Sequence, residues 1–137
     1  MKHIAFQFEG SLSVVIPTDP NADLNELAAN VIPEGTPFTI IEDSEVDHDF
    51  FNAYEHDGEK VILNIEKAKE LHLDKFREAR KPKLQKLDVA FMKAVETADL
   101  AKQAEISTAK QALRDVTKTP LPDTLAELKS TWPEILN

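Results

Sequence analysis

The chain has no cysteine, only three glycines and very little positive charge in its first half. Without thiols there is no disulfide framework, no thiolate zinc site and no cysteine nucleophile. Gly10, Gly35 and Gly58 stand far apart, and no P-loop, GxGxxG or GxSxG motif occurs. No apolar run reaches the roughly 18 residues that a membrane span needs, and the N-terminus lacks a signal-peptide apolar core. The expectation is a soluble chain made in the cytoplasm, with no membrane partner. The histidines are His3, His48, His56 and His72; no two have the spacing of a helical metal motif, and HExxH is missing. Apart from Ser44, four residues before His48 in the acidic run, no serine has a histidine near it in sequence. Abundant Asp and Glu give no paired general acid and base by number alone. The expectation is therefore no catalytic residue, no metal and no cofactor.

What is present is uneven. Residues 1–63 hold 2 Lys/Arg against 13 Asp/Glu, and residues 64–137 hold 14 against 12, within a net charge of −9 for the 137 residues. Such asymmetry suggests two differently used halves, and the acidic one disfavours nucleic acid, whose binding rests on phosphate contacts. The length allows one ordinary domain, or a small domain with a helical extension.

The stretch from Asn64 to Val116 organises the rest. Leu84, Leu87, Phe91 and Ala94 recur at helical spacing, as do Ile106, Ala109, Leu113 and Val116. Two matching stripes, separated by a polar gap near Thr97 and Asp99, predict an antiparallel helical hairpin. The first helix is expected from Ile65 to Glu96 with Asn64 as cap, and the second from Ala98 to Thr117. Pro82 falls inside the first, so a kink or break is expected near Arg80 and Lys81. The basic run Lys75, Arg77, Arg80, Lys81, Lys83 and Lys86 surrounds that point. It reads as a solvated face with internal pairs, or as a patch that docks either the acidic N-terminal half or another protein.

Ahead of the hairpin, Ile4, Phe6 and Phe8, then Leu12, Val14 and Ile16, alternate with other residues around Glu9 to Ser11. This predicts a β-hairpin with one buried face, closed by Pro17. Asn21 or Asp23 can cap a short helix whose apolar face is Leu24, Leu27, Ala28 and Val31, ended by Pro33 and Gly35. Phe38 to Glu42 reads as a strand. The acidic run Glu42 to Asp49 resembles a cation loop only loosely, because it has no glycine at the turn; a solvated connection is expected, with His48 and Asp49 as the candidate ligands set aside. Phe50, Phe51 and Tyr54 supply aromatic core, and Asp57-Gly58 turns the chain into a last strand, Val61 to Leu63. After Thr119-Pro120 and Leu121-Pro122 the tail has Asp123 as a cap, then Leu125, Leu128, Trp132 and Ile135 at helical spacing. A single Trp beside Pro133 reads as an anchor for the chain end more often than as an exposed contact.

The expected fold is α+β: a small acidic antiparallel β-rich domain over residues 1–63, then a long helical hairpin with a short tail helix over 64–137. Several phrases together are similar to small proteins of tailed bacteriophages encoded beside the tail-fibre genes, the tail assembly chaperone family. They are FFNAYEHDG (50–58), NIEKAKELH (64–72), FREARKPKLQKLD (76–88), KQALRDVT (110–117) and LKSTWPEIL (128–136). The resemblance covers about residues 50–137, and only faint echoes precede it, at 32–35 and 39–42. Arg77, Arg80, Asp88, Arg114, Asp115 and Trp132 match the recurring positions. Tyr54 stands where relatives often show tryptophan, and Asn52 replaces a frequent arginine. The resemblance implies a non-enzymatic chaperone for a tail or tail-fibre protein in the host cytoplasm. Its candidate partner-binding residues are Arg77, Arg80, Lys83, Tyr54 and Trp132, and self-association into a homo-oligomer is open. The alternative is a permanent component of the virion tail, such as a fibre adaptor.

Overall fold

The protein is α+β, and its first strand, β1 (Lys2–Phe8), is the centre of a three-stranded antiparallel sheet. In the computed structural model, which describes residues 1–137, β2 (Ser11–Val15) and β3 (Phe38–Glu42) flank it in the order β2-β1-β3. Glu9 and Gly10 form the two-residue β1–β2 turn, both at positive φ, 50° and 81°. Such a mirror-image turn matches the natural twist of the strands it joins. It also fixes register. Phe8 pairs with Ser11, Phe6 with Ser13 and Ile4 with Val15, so even positions of β1 lie beside odd positions of β2. Ile4 and Phe6 therefore share a face with Val15, while Leu12 and Val14 share the other with Ala5. The single buried face expected of the hairpin does not exist, and β1 is buried on both sides through His3, Ile4, Ala5 and Phe6.

Each face has its own cover. On one, α1 (Leu24–Val31) lays Ala28 and the following Ile32 on Ile4 and Phe6, with Val15, Leu24 and Leu27 at the margin. Asp23, not Asn21, caps α1, accepting from the N–H groups of Asn25 and Glu26 at 3.0 and 3.3 Å. Val31, expected in the apolar face, is 48% exposed, and Ile32 turns inward in its place. On the other face, the acidic run Glu42 to Asp49 is solvated as expected, all but Val46 and Asp47 being exposed. It folds into 3₁₀ turns at Asp43–Glu45 and His48–Ala53, the first held by a Glu42/Glu45 capping box. Phe50 is fully buried.

β4 (Tyr54–His56) and β5 (Val61–Leu63) form a separate two-stranded ladder bonded to the sheet through side chains. The His56 N–H donates to Gln7 Oε1 at 2.9 Å. Gly58 N–H donates to His56 Nδ1 at 3.1 Å, so the ring proton sits on Nε2 and goes to Thr39 Oγ1 at 2.8 Å. Thr39 passes its own hydroxyl proton to the Glu59 carbonyl at 2.8 Å. A buried histidine thus has its donor and its acceptor both satisfied.

The chain divides into two compact units, Met1–Ala68 and Lys69–Asn137, so the boundary falls inside the long helix rather than at residue 63. That helix, α2 (Ile65–Glu96), is 32 residues and about 48 Å long. Asn64 caps it through Lys67 N–H at 3.3 Å. Of the kink or break expected near Pro82, the break does not occur: the helix is continuous through it. Pro82 is exposed, so the Glu78 carbonyl that loses its helical donor faces solvent, while Ala79 and Leu84 hold the helix to the core on either side.

Reversal into α3 (Leu100–Arg114) uses Ala98 at φ 53°, with Asp99 N–H reaching back to the Ala94 carbonyl at 2.9 Å. This is the left-handed helix end for which glycine is the usual residue. Asp99 then caps α3 through Lys102 N–H at 3.0 Å, which is why α3 starts at Leu100 rather than at Ala98. Its far end tightens into a 3₁₀ turn, Asp115–Lys118. Phe76, Leu113, Val116 and Leu136 form the buried core, with Leu73, Ala79, Leu84, Leu87 and Leu121 packed on it. The tail supplies Leu136 where Ile135 was expected; Ile135 is 41% exposed. Thr124 rather than Asp123 caps α4 (Leu125–Ser130), because Asp123 is drawn to Lys69 at 2.6 Å.

Two backbone positions are open to improvement. Pro82→Ala restores a helical hydrogen bond and removes a proline whose cost inside a helix is about 3 kcal/mol, and Ala98→Gly relieves a left-handed residue at about 1 kcal/mol. Both substitutions are expected to raise the midpoint of thermal unfolding, Pro82→Ala by more. The Asp57 carboxyl accepts from the N–H groups of Lys60 and Glu59 at 2.8 and 2.9 Å, and these hold its pKa below the usual carboxylate range. A depressed folded pKa stabilises the turn above the unfolded value and is lost as pH falls through the folded one. NMR titration of the Glu59 and Lys60 amides is expected to show a midpoint below that of a free aspartate, and Asp57→Asn should abolish the transition.

Candidate protein-binding surfaces

Of the basic residues singled out in the sequence, Arg77, Arg80, Lys81 and Lys83 find partners within the hairpin unit. Arg77 donates to Glu70 at 2.8 Å and to Asp74 at 2.6 Å, and these carboxylates raise its pKa further. Arg80 donates to the Arg114 carbonyl at 3.0 Å, at the junction of α3 with its closing 3₁₀ turn, where the Thr117 hydroxyl also donates to that oxygen at 3.3 Å. Lys83 donates to the Asn137 main-chain oxygen at 2.8 Å, and Lys81 pairs with Glu78 at 2.6 Å. Lys110, from α3, meets Asp88 at 2.5 Å and lies 5.7 Å from the centre of the Phe91 ring. Arg80, Lys83 and Lys110 therefore act as ties that close helix and tail together.

Trp132 packs edge-on against Phe76, ring centres 5.3 Å apart, and against His72 at 6.4 Å. His72 Nε2 lies 2.7 Å from the Thr131 carbonyl, which can only accept, so that nitrogen carries the proton. The indole anchors the tail and still leaves 41% of the residue exposed. Tyr54 lies in the other unit. It is buried, and its hydroxyl accepts from Asp47 N–H at 3.1 Å, holding the 3₁₀ segment in place. The structure thus places Arg77, Arg80, Lys83 and Trp132 in one unit and Tyr54 in the other. His48, the set-aside ligand, pairs with Asp43 at 3.0 Å, and no group of three or more His, Asp or Glu side chains is placed to hold a metal ion.

Two features stand outside that set. The first is a ridge on the hairpin: Val89, Met92 and Val95 are 56, 64 and 52% exposed, and Leu100 across the turn is 75% exposed. Their three-residue spacing keeps the α2 members along one side, while Leu84, Leu87, Phe91 and Ala94 turn inward. A signal for the ridge was present, since the last turns of α2 hold more apolar residues than one inward stripe uses. The second is a cavity of about 390 Å³ in the N-terminal unit, walled by Leu12, Val14, Ile41, Val46 and Phe51. Asp43 stands on its polar side, 3.6 Å from His3 Nδ1 and 3.0 Å from His48 Nε2. Family models, curated proteins and solved structures were compared with this chain, and none matches.

If Arg80 is a tie, Arg80→Ala should loosen the end of α3. Faster amide exchange over Gln111–Arg114 and a loss of about 1 kcal/mol in urea unfolding are the expected outcomes. Unchanged exchange there would show that the contact holds nothing.

Proposed function

We propose that this protein is a non-enzymatic accessory protein of bacteriophage tails, an assembly chaperone that binds a tail or tail-fibre protein. The resemblance of residues 50–137 supplies the setting. The observation that carries protein binding is the apolar ridge Val89-Met92-Val95 with Leu100, exposed on a hairpin whose core is already filled by other residues. Burying such side chains contributes about 1.5–3 kcal/mol each, and methionine at the centre adapts to an irregular surface. The ridge covers an apolar surface of an immature partner and keeps it from premature association, in the host cytoplasm during assembly. The acidic residues 1–63, with 2 Lys/Arg against 13 Asp/Glu, keep the complex soluble and disfavour nucleic acid. The chemistry required is recognition alone, without cofactor or metal.

Glutamates at Arg77, Arg80 and Lys83 would disturb the hairpin's own ties, so the ridge gives the cleaner test. Co-expression with the tail and tail-fibre proteins encoded beside it, followed by pull-down, is expected to recover a partner with the parent chain. Met92→Glu should reduce recovery at least tenfold at unchanged helical circular dichroism. Undiminished recovery would remove the ridge as the binding surface. Mass spectrometry of purified particles then separates a chaperone, absent from them, from a virion component present in stoichiometric amount.

A further inference from the structure

We infer that β2 and the cavity beside it dock an extended segment of the protein partner, one that carries an apolar residue flanked by lysine or arginine. The inference rests on the protein-binding reading above and adds a second site to it. β2 is an edge strand, bonded to β1 alone. In a two-residue hairpin the closing pair exchanges both hydrogen bonds and the next pair none, in alternation. Ser11, Ser13 and Val15 therefore bond inward to β1, and the N–H and C=O groups of Leu12 and Val14 point outward. Neither takes another main-chain partner. The strand, SLSVV, has no charge and no proline, the devices that usually keep an edge from pairing.

Cavity and edge belong together. Leu12 and Val14 line the cavity, and so does Ser13, although its side chain belongs to the opposite face by register. The cavity thus reaches past the side chains to the strand's own margin. A strand added there sends alternate side chains toward the sheet face that the cavity occupies. At about 390 Å³, walled by aliphatic groups and Phe51, the space takes one bulky apolar side chain. Charge chooses the neighbours. Asp43 lies on the cavity and Glu42, Glu45, Asp47 and Asp49 adjoin it in sequence, while Lys2 and Lys60 are the only Lys or Arg among residues 1–63. A segment with cations beside its apolar residue is drawn in, and an acidic one is repelled. The same argument disfavours a second copy, because edge-to-edge pairing would bring two strongly acidic units together.

The test is selection from a displayed library of random nine-residue peptides against the full chain, followed by titration of the enriched peptides. The expected consensus has an apolar residue with Lys or Arg close by. Affinity should fall at least tenfold for Asp43→Lys, and likewise for Val14→Pro, which removes an outward N–H and leaves the β1 ladder intact. Peptide added to the parent chain should slow amide exchange at Leu12 and Val14, a readout that needs no variant to fold. An acidic consensus, no enrichment, equal binding by both variants, or no protection at Leu12 and Val14 would overturn the inference. So would protection that rises with protein concentration alone, which would make a second copy the occupant. None of these results alters the pull-down with Met92→Glu, so the strand site and the accessory-protein reading fail separately.

Discussion

The two-residue turn at Glu9-Gly10 decides where the apolar surface of the N-terminal unit goes. Because strand side chains alternate, an even-numbered connection places alternate apolar residues of the two strands on opposite faces. Ile4 and Phe6 go one way, Leu12 and Val14 the other, and a three-stranded sheet must then be covered twice. α1 is long enough to cover one face. The other receives two 3₁₀ turns and a short ladder, elements too small to fill it, and a cavity remains beside the edge strand. A turn with one more residue would have gathered all six apolar residues on one face and left no such space.

The hairpin unit answers a different constraint. A helix of 32 residues presents far more surface than one partner helix of 15 can cover. The tail makes up part of the difference. Leu128 and Leu136 are buried, Trp132 lies on Phe76, and Lys69, Arg80 and Lys83 tie main chain and side chains of the returning segments to α2. These ties lie over the half of α2 before Leu84. Toward the turn only α3 accompanies it, and there the side chains of Val89, Met92 and Val95 stay exposed. The bare ridge thus lies beyond the stretch of α2 that Leu128, Trp132 and Leu136 cover, and it is a candidate for recognition.

Much of this was legible because it is local. Periodicity in 84–94 and 106–116 gives the hairpin, Asn64 and Asp23 give caps, and Asp57-Gly58 gives a turn. Errors arose where a local rule met a distant partner. Asp123 is a good cap by type, yet Lys69, 54 residues earlier, takes its carboxylate and leaves capping to Thr124. Pro82 breaks isolated helices, but here packing on either side of it keeps the helix continuous through the missing bond. The acidic run from Glu42 to Asp49 is solvated as it looks, except that the second face of the sheet buries Val46 within it. That second face could have been read from the sequence by counting residues across the Glu9-Gly10 turn. The basic shoulder was visible as charge, but the carbonyls and carboxylates that occupy it were not.

That occupation bears on which surface would serve the proposed binding of a protein partner. Exposed ion pairs contribute about 0–1 kcal/mol, and cations already satisfied within the chain must give up those bonds before they can serve a partner. Arg77, holding two carboxylates, would exchange like for like and gain little. Val89, Met92 and Val95 have no such debt: they face water, and covering them is favourable at about 25 cal/mol for each Å². Binding through the ridge should accordingly be insensitive to salt, whereas docking at the acidic cavity edge should weaken as salt rises. The two surfaces can therefore be told apart in one complex by ionic strength alone, before any residue is changed.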